Sequence, residues 1–487
     1  MYVLGIDIGT TGAKAIVADE EGRIAGQGYK SYHLITNSGG RVEQNPRDWY
    51  DAAVYCVRQA CKDIDAKSII ALSMSTQGAS SFLADESMNP LTNALTWMDV
   101  RAANEKEYLD NLLGDEYVYH SSGWKINPSL DMAKLKWLVD NENELYNRAK
   151  YFISTMEFMN FMLTGECVID PSNAAIRQLL DIRTRQWDKK LLAATGATED
   201  KLPPILPTGA RVGNLTMKAA RDMGLSQNVT VYNGAHDQYC GAIGASIHDP
   251  GQIMLSTGTA WAILGISDKL LYSEAFIAPG PHVYDDKFGA LASIPVSGAA
   301  LDWLRNNITG EDYETIDRVA ESRIENIKEL YFYPYLSGAT FPLWQLEARG
   351  AFIGLGLEHD KYDLALAVME GVVLQLKMAL EEFKNSGLEI KSLHLIGGAV
   401  NSAVWTKIIA ALCGCDLYVM KVKDTPCIGA VAIAGTQAGM FNDYSSAAEK
   451  MNVSCKYEQD IDALKLHYGR KFEEYKRVWD CVSKCYK

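Results

Sequence analysis

The feature that most constrains the fold is a motif that occurs twice. A short apolar strand, Val3–Ile8, leads into the Gly-Thr-Thr-Gly turn at 9–12, and a second apolar strand follows. About 250 residues later, Gln252–Ser256 leads into Thr257-Gly258-Thr259, and Trp261–Ile266 follows as another strand. Two strand–turn–strand units near the starts of two equal halves predict two domains that share one architecture.

The turn cluster at 247–251 separates the two halves, so we expect an N-terminal domain at 1–247 and a C-terminal domain at 248–487. Strands and helices alternate in both halves, which predicts the α/β class. In the first half we expect a third strand at Arg23–Tyr29, a helix at Pro46–Cys61 and a strand at Ile69–Ser75. The predicted elements of the second half are strands at Leu393–Ile396 and Asp416–Met420, and helices at Asp363–Lys384 (with Asp363 as the N-terminal cap), Ser402–Leu412, Gly429–Ala438 and Asp460–Tyr486.

The net charge of −14 disfavours binding to nucleic acid or to an anionic membrane, because neither polyanion is attracted to such a chain. An anionic small substrate would have to be held by local donors. There is no secretory leader and no run of 18 apolar residues, so we expect a soluble, reduced, cytoplasmic protein; a homodimer is allowed. The ten cysteines form no CxxC pair, and Cys413-Gly-Cys415 is interpreted as a helix end and turn.

Several common catalytic motifs do not occur. The sequence has no Gly-Lys dipeptide and therefore no Walker A loop, and it has no GxSxG, HExxH or GxGxxG motif. Hydrolase, metalloprotease and dehydrogenase functions are disfavoured together.

The first hairpin has the chemistry of a phosphate site. Gly9 and Gly12 allow a tight turn whose N–H groups point at an anion. Thr10 and Thr11 add hydroxyl donors, and Lys14 adds a positive charge. An ordinary hairpin with the same residues is the alternative for this motif taken alone.

Other residues strengthen the phosphate hypothesis. Asp7, at the end of the first strand, could hold Mg²⁺ directly or through water. The second hairpin, at Thr257–Thr259, could contact the same nucleotide from the opposite domain. Gly397-Gly398-Ala399 precedes a helix and would let an adenosine lie against bare backbone, although this motif alone is weak.

A third candidate lies at Asn233–Gln238, between the apolar strand Val229–Tyr232 and a helix of small residues. An acid at such a junction, here Asp237, can accept a proton from a substrate hydroxyl. The alternative is a helix cap or turn residue. The neighbouring His236 is interpreted as a packing residue.

Five stretches occur in order along nearly the whole chain, and together they resemble the FGGY family of carbohydrate kinases. They are Gly5–Thr11 with Lys14, Trp97–Arg101, Gly234–Gly241, Ser256–Thr259 and the segment from Gly397. The spacing of residues from Gly350 to Glu370 also fits this family. Its N-terminal signature is looser: Lys134, Trp137 and Leu138 fit, whereas Asp131 stands where a small residue or proline is usual.

The resemblance implies two actin-like (ribonuclease H-like) ATPase domains around a central cleft. ATP and Mg²⁺ would lie between the two hairpins, and the sugar mainly on the N-terminal domain. Asp237 would be the catalytic base, and both Asp237 and Asp7 would act in catalysis and hold Mg²⁺. The expected nucleotide-binding residues are Gly9, Thr10, Thr11, Lys14, Thr257, Gly258, Thr259, Gly397, Gly398 and Asn401; the expected sugar-binding residues are Gln77, Gly78, Trp97, Asp99, Arg101, Asp237 and Gln238.

The loop Gln77-Gly78-Ala79 bears on the choice of sugar. At this loop, glycerol kinases of the family the chain resembles have a Gln-Arg-Glu-like sequence, and typical xylulokinases have a Gln-Met-His-like one. Glycerol is disfavoured as the substrate because this chain lacks the Arg–Glu clamp. Gly78 and Ala79 are expected to leave space for an acceptor of five carbons or more. The stretch 335–338 matches xylulokinase-like members, although Ala339-Thr340 replaces the usual Glu-Arg, and 170–174 resembles autoinducer-2 kinases.

We therefore expect an ATP-dependent kinase for a ketopentose such as xylulose, with another ketose, a polyol, a sugar acid or an autoinducer-2-like signal as alternatives. Actin-like chaperone or filament ATPases, which need no small acceptor, are a rival class; the insertion at about 117–202 and the Asp237 loop argue against them. A silent binding protein is disfavoured because Asp7 and Asp237 are both present.

Overall fold

A computed structural model describes residues 1–326, 328–422 and 424–486. The strands are β1 (Tyr2–Ile8), β2 (Gly12–Asp19), β3 (Ile24–Ser31), β4 (Ile35–Asn37), β5 (Arg41–Gln44), β6 (Ile69–Thr76), β7 (Phe82–Ala84), β8 (Ala94–Leu95), β9 (Tyr151–Ile153), β10 (Leu180–Asp181), β11 (Gln186–Trp187), β12 (Arg211–Asn214), β13 (Thr230–His236), β14 (Gln252–Thr257), β15 (Trp261–Ser267), β16 (Ala278–Pro281), β17 (Phe288–Ile294), β18 (Tyr331–Tyr333), β19 (Ala351–Ile353), β20 (Ser392–Gly397), β21 (Asp416–Met420) and β22 (Ser454–Lys456).

The α-helices are α1 (Pro46–Ala60), α2 (Ala103–Leu113), α3 (Asp115–Ser122), α4 (Asp131–Asn141), α5 (Asn143–Arg148), α6 (Thr155–Thr164), α7 (Pro171–Ile176), α8 (Lys189–Thr195), α9 (Met217–Met223), α10 (Asp237–Gly244), α11 (Gly298–Leu304), α12 (Tyr313–Glu321), α13 (Lys361–Asn385), α14 (Ala403–Cys413), α15 (Thr425–Gln437), α16 (Tyr444–Met451) and α17 (Asp462–Val482). A π-helical turn continues α11 at Arg305–Thr309, and 3₁₀ turns lie at Ala66–Ser68, Glu199–Lys201, Gly398–Asn401 and Ser483–Tyr486.

The chain folds into two large sheets with one plan. The first has the order β3-β2-β1-β6-β13-β12, and the second has the order β17-β15-β14-β20-β21-β22, with β16 beyond β17. In each sheet the first three strands form an antiparallel meander, the next two join in parallel, and the last is antiparallel. The repeated hairpins are therefore equivalent elements, as the sequence predicts.

Two helices join the sheets. Both α10 and α15 pack on the face of the first sheet that carries Val3 and Ile16, and a single apolar core continues from there to Met254 and Leu264 of the second sheet. The helices cross closely because α15 has a glycine at the contact: a methyl group at Gly429 would lie 2.0 Å from the Cys240 carbonyl oxygen. This crossing holds the start of α10 between the two sheets.

The predicted elements are present, with shifts at their ends. The sequence predicted Asp363 as the N-terminal cap of α13, and this is wrong. The cap is Asp360, whose side chain accepts from the N–H groups of Tyr362 and Asp363. The Asp363 side chain accepts from the Asp360 N–H in return, which completes a capping box. Helix α15 starts at Thr425, four residues before the predicted Gly429, and Cys413 ends α14 before a turn at Gly414.

The ten cysteines are free thiols. Within the part of the chain that the structure describes, the helices are all too short or too polar to cross a membrane.

Candidate active site

Asp7 lies at the end of β1, paired with Lys14 of β2 and Ser75 of β6. It is nearly buried, and its Oδ1 accepts a hydrogen bond of 2.7 Å from the Ser75 hydroxyl. Burial raises the pKa of Asp7 to about 7, and the nearby Asp237 and Asp424 carboxylates add to the increase against the opposing Ser75 bond and Lys14 charge. Three carboxylates thus lie close together at this strand end.

The first turn is well ordered and opens to solvent at its tip. The Gly9 N–H donates to the Gly12 carbonyl at 3.1 Å, and the Tyr32 hydroxyl donates to the Gly9 carbonyl. The Thr10 hydroxyl accepts from the Trp97 indole N–H at 2.9 Å, and Thr11 is exposed. The turn therefore contacts the loop that carries Trp97, which the sequence did not predict.

Lys14 forms an ion pair across the two halves of the chain. Its Nζ lies 2.5 Å from Asp424 Oδ1, just before α15. Burial lowers the pKa of Lys14, but the hydrogen bond to Asp424 and the charges of Asp424 and Asp7 together outweigh burial, so the net pKa is raised. The sequence predicted Lys14 as a phosphate ligand but missed Asp424. The signal was the run Asp424-Thr425-Pro426, which is typical of a helix start.

Asp237 is the first residue of α10, and 27% of its side chain is exposed. The cap of the helix is His236, whose Nδ1 accepts from the Gln238 N–H at 3.4 Å, so Asp237 is not the capping residue. The Gln238 amide donates to Asp237 Oδ1 at 3.2 Å, and His236 Nδ1 lies 3.4 Å from the same oxygen. An accessible carboxylate at a helix N-terminus can accept a hydrogen bond from a substrate hydroxyl and then take the proton of that hydroxyl.

In the second hairpin, Thr257 and its neighbours differ in exposure. The buried Thr257 hydroxyl donates to the Ile396 carbonyl at 2.5 Å and accepts from the Ala399 N–H at 3.0 Å. Gly258 and Thr259 are exposed at the turn. Thr257 therefore fixes the neighbouring 3₁₀ turn in place, whereas Gly258 and Thr259 are free to contact a ligand.

The 3₁₀ turn at Gly398–Asn401 lies directly beside this hairpin. Gly397 has φ +87°, and a methyl group there would lie 2.4 Å from the Thr257 carbonyl oxygen, so both conformation and space require glycine. Gly398 and Asn401 are exposed. Helix α11 also begins at this point, where the Ala299 N–H donates to the Thr259 carbonyl at 3.0 Å; the sequence analysis missed this helix.

The space beside Gly78 is already filled. A methyl group on Gly78 would lie 2.6 Å from His236 Cδ2 and 2.8 Å from Ile176 Cγ2, and Ala79 is buried. The expectation that Gly78 and Ala79 leave room for a larger acceptor is therefore wrong. Gly78 instead lets the imidazole of His236 pack next to Asp237.

Gln77 is buried and links the loop to the first hairpin. Its Nε2 donates to Gln44 Oε1 at 2.8 Å, and Gln44 Nε2 donates to the Thr10 carbonyl at 2.6 Å. The Gln77 Oε1 atom has no hydrogen-bond partner among the described residues. Sequence reasoning missed Gln44, which no local motif marks.

Asp99 and Arg101 are occupied by contacts within the protein. Asp99 is fully buried and accepts from the Val42 N–H at 2.8 Å and from Arg101 Nε at 2.9 Å. Arg101 also contacts Glu43 at 2.5 Å, and only 7% of its side chain is exposed. Of the three residues predicted from this stretch, only Trp97 presents an exposed side chain, 42% accessible.

The structure thus places Asp237 and Asp424 close enough to Asp7 to raise its pKa, and it joins Lys14 of the first hairpin to Asp424. Asp99 and Arg101 are taken up by contacts with each other, Val42 and Glu43. Among the described residues, no group of three or more His, Cys, Asp and Glu side chains is arranged as a metal-binding cluster. The pKa of Asp7 is raised because the group is buried and lies near the carboxylates of Asp237 and Asp424. These carboxylate oxygens are the kind of ligand that fits a divalent cation arriving with a bound substrate.

Comparison with known proteins covers the whole chain. The family models described as the N-terminal and C-terminal domains of the FGGY family of carbohydrate kinases match residues 2–244 and 253–438. A xylulose kinase of Staphylococcus epidermidis is 27% identical over 490 residues (99% of this chain and 96% of the relative), and a gluconokinase of Bacillus subtilis is 26% identical over 478 residues (95% and 93%). The crystal structure of ligand-bound xylulose kinase from Lactobacillus acidophilus superimposes with a TM-score of 0.92 at 26% identity, covering 100% of this chain and 99% of that one.

Proposed function

The chain belongs to the FGGY family of carbohydrate kinases, and we propose that it transfers the γ-phosphoryl group of ATP to a hydroxyl of a ketopentose such as xylulose. It is an ATP-dependent sugar kinase, a phosphotransferase with an alcohol group as acceptor, and it has the actin-like two-domain ATPase fold. The identity of the sugar and the roles of individual residues are the parts that we propose.

The observation that carries the residue assignment is the position of Asp237. Its carboxylate is accessible at the start of α10, close enough to Asp7 to raise the pKa of that buried acid. We assign Asp237 as the base that accepts the proton of the sugar hydroxyl as the oxygen attacks the γ-phosphorus. General-base catalysis of this kind contributes about 10²–10⁴ in rate.

The two hairpins would hold the nucleotide. Thr10 and Thr11 would offer N–H and hydroxyl donors from the first hairpin, and Thr259 would offer them from the second. Gly9 and Gly258, whose own N–H groups bond within the turns, would let the backbone approach the phosphates closely. Gly398 and Asn401 are exposed beside the second hairpin and would line the nucleoside. Phosphoryl transfer depends mainly on positioning and electrostatic stabilisation, which donors on rigid strand ends supply well.

Lys14 would reach the phosphates after it leaves Asp424 or while it bridges both groups. Asp7 and Asp237 would hold Mg²⁺ together with the phosphates. When bound, the cation supplies positive charge that neutralises the phosphate oxygens. Ser75 fixes the orientation of Asp7 through its 2.7 Å hydrogen bond. Backbone N–H groups would supply the rest of the attraction for the phosphates, because the net charge of the chain is negative and only local donors can bind an anion.

We propose that the domains at 1–247 and 248–487 close on the substrates by bending near the α10–α15 crossing, since both helices contact both halves. Closure would exclude water, which otherwise competes with the sugar as phosphoryl acceptor.

For the sugar, Trp97 and Gln238 are the proposed contacts that remain accessible, with Gln77 beneath them. Asp99 and Arg101 support the Trp97 loop from behind. The xylulose kinase relatives favour a ketopentose as the substrate. A sugar acid is the second candidate, because the gluconokinase relative is 26% identical over 95% of the chain, nearly the identity of the xylulose kinase.

The test is an ADP-coupled assay with the purified full chain and a panel of ketoses, polyols, sugar acids and autoinducer-2. We expect the highest kcat/KM with a ketopentose and little ADP release without sugar. A sugar acid as the best acceptor would favour the second candidate. Equal ADP release with and without every sugar would contradict the proposal and favour an ATPase that needs no small acceptor.

A further inference from the structure

Lys134 of α4 is a fully buried lysine that hydrogen-bonds three backbone carbonyls. Its Nζ donates to the carbonyl oxygens of Ala79 at 2.8 Å, Leu95 at 3.2 Å and Thr96 at 2.7 Å. An ammonium group has three N–H donors, so these three bonds use all of them. The lysine therefore connects one helix to two separate segments of chain.

The two segments are the loops proposed to form the sugar site. Ala79 ends the Gln77-Gly78-Ala79 loop, and Leu95 and Thr96 lead directly into Trp97. A single side chain thus sets the distance between both loops.

The same face of α4 makes two more contacts with this region. Asp131 and Trp137, three positions before and after Lys134, lie on that face of the helix. Asp131 accepts from the Ser81 hydroxyl, just beyond the first loop, and pairs with the buried Arg177 at 2.8 Å. The guanidinium of Arg101 lies 5.0 Å above the Trp137 ring, which supports the Trp97 loop.

Stability alone does not account for a lysine at this position. Burial lowers the pKa of Lys134 to about 8, the nearby Asp131 and Asp99 oppose this decrease, and Arg101 adds to it. Burying an ammonium is costly, and well-packed apolar residues often replace buried charges without loss of stability. A buried ammonium group that holds two loops together is more readily explained by the proposed role of those loops in binding the sugar.

We propose that Lys134 is a positioning residue for the sugar site, holding the Gln77–Ala79 and Thr96–Trp97 loops at the separation that the acceptor requires. The inference rests on the proposed function, since it assigns these loops to the acceptor. It predicts that Lys134 controls the affinity for sugar far more than that for ATP, because its own hydrogen bonds reach neither nucleotide hairpin, although Trp97 and Gln77 link the two loops to Thr10.

The test is Lys134→Met, which keeps an unbranched apolar side chain as far as the ε position but removes the ammonium group with its charge and all three donors. We expect the KM for sugar to rise by about tenfold or more, the size of effect that one or two lost hydrogen bonds produce. The KM for ATP should stay within about twofold, and kcat should fall by less than the KM for sugar rises.

The matched control is Lys471→Met, a second buried lysine, which pairs with Glu370 in the second half of the chain. It measures what the loss of a buried lysine does to the thermal midpoint and to activity without touching either loop. If Lys134→Met changes no KM, or raises the KM values for sugar and ATP alike as Lys471→Met does, Lys134 has a purely structural role and the proposal is overturned.

Should Lys134→Met not fold, the native protein provides the decisive measurement. Burial lowers the pKa of Lys134 to about 8, so it loses its proton mainly as the pH rises from about 8 to about 9.5, above the range in which Asp7, with a pKa of about 7, titrates. A neutral amine has one donor fewer than its three acceptors. The KM for sugar should then rise over this range while the KM for ATP stays constant; a KM for sugar that does not change would overturn the proposal. Failure of the proposed function looks different, since the native protein would then phosphorylate no sugar of the panel.

Discussion

Lys14 and Asp424 are 410 positions apart in the sequence, yet Lys14 Nζ lies 2.5 Å from Asp424 Oδ1. The pair joins the second strand of the first hairpin to the start of α15. The lysine of the first hairpin is therefore already paired with a carboxylate from the other half of the chain. If Lys14 contacts the phosphates as proposed, a bound nucleotide competes with Asp424 for this cation.

Asp424→Asn should accordingly lower the KM for ATP. The pair is about one third exposed on each side, and such ion pairs contribute about 0–1 kcal/mol, so the decrease should be at most about fivefold. Steady-state kinetics with varied ATP at saturating sugar measures it. Asp416→Asn is the matched control, because Asp416 forms an exposed ion pair with Lys456 outside the site. A higher KM for ATP in Asp424→Asn would mean that Asp424 helps to bind the nucleotide.

Gly78→Ala should reduce kcat. The added methyl group would lie 2.6 Å from His236 Cδ2, and the displaced imidazole lies 3.4 Å from Asp237 Oδ1. Small displacements of a catalytic group can reduce the rate by about 10²-fold, so we expect a decrease of about 10–100-fold in sugar-dependent ADP release. Gly469→Ala on α17, where an added methyl group contacts nothing within 4 Å, should leave kcat unchanged. Full activity in Gly78→Ala would show that the His236 ring does not help to position Asp237.

Thr257→Val should weaken ATP binding. It removes the hydroxyl that donates to Ile396 and accepts from Ala399, and with it the support of the turn that carries Gly398 and Asn401. The loss of these bonds should raise the KM for ATP by about tenfold and leave the KM for sugar unchanged. Thr257→Ser keeps the hydroxyl and should behave like the native protein. A normal KM for ATP in Thr257→Val, together with a raised KM in Thr257→Ser, would assign the role to the methyl group instead.

The features that the sequence predicted are formed by residues close together in the chain, whereas many that it missed are formed by residues far apart. The hairpins at Gly9–Gly12 and Thr257–Thr259 are local, because a few turn residues between apolar strands suffice to specify them. The resemblance to a family predicted Asp237 as the base; the structure gives its carboxylate an exposure of 27%, and its role stays a prediction. Each of these features depends on residues that are neighbours in sequence.

Many of the contacts that went unpredicted join distant segments. Glu43 pairs with Arg101 from 58 positions away, and this pairing buries a motif that otherwise suggests sugar recognition. The His236 ring fills the space that Gly78 leaves, across more than 150 positions. Hydrophobic periodicity and turn chemistry describe one element at a time, so they carry no information on which side chain fills the space beside another.

Stability should decrease in mild acid because of buried histidines. Burial lowers the pKa of His282 from 6.5 to about 3, and that of His394 to about 4. Above pH 6.5 both are neutral in the folded and unfolded states, so stability is complete there; below it the unfolded chain binds protons that the folded chain refuses. Each such histidine should lower the free energy of unfolding by about 1.4 kcal/mol per pH unit as the pH drops from 6.5 towards 4. Asp7 contributes with the opposite sign over this range, because its raised pKa makes the folded chain bind a proton that the unfolded chain does not, so the effect of the two histidines exceeds that of this one acid.

His282→Asn isolates one contribution. The Asn Oδ1 can replace His282 Nδ1 as acceptor of the Tyr284 N–H, a bond of 3.4 Å, but the side chain no longer titrates. Denaturant unfolding at pH 7.0, 6.0 and 5.0 should give a smaller pH slope in this variant than in the native protein. The exposed His33, replaced in the same way, should leave the slope unchanged. Parallel slopes in all three proteins would rule out His282 as a source of acid sensitivity.

Asp237→Ala should abolish sugar-dependent ADP release and leave the fold intact. The carboxylate is accessible, its close polar contacts among the described residues are with the neighbouring Gln238 and His236, and its charge acts unfavourably on Asp7, so its removal leaves no distant buried group unpaired. Loss of the proton acceptor should lower kcat by about 10²–10⁴-fold, while the thermal midpoint stays close to that of the native protein. Asp249→Ala, at an exposed aspartate of the turn between the two halves, is the control for removing an acidic side chain. Near-normal turnover in Asp237→Ala would refute the assignment of Asp237 as the base, even if the native protein phosphorylates a ketopentose.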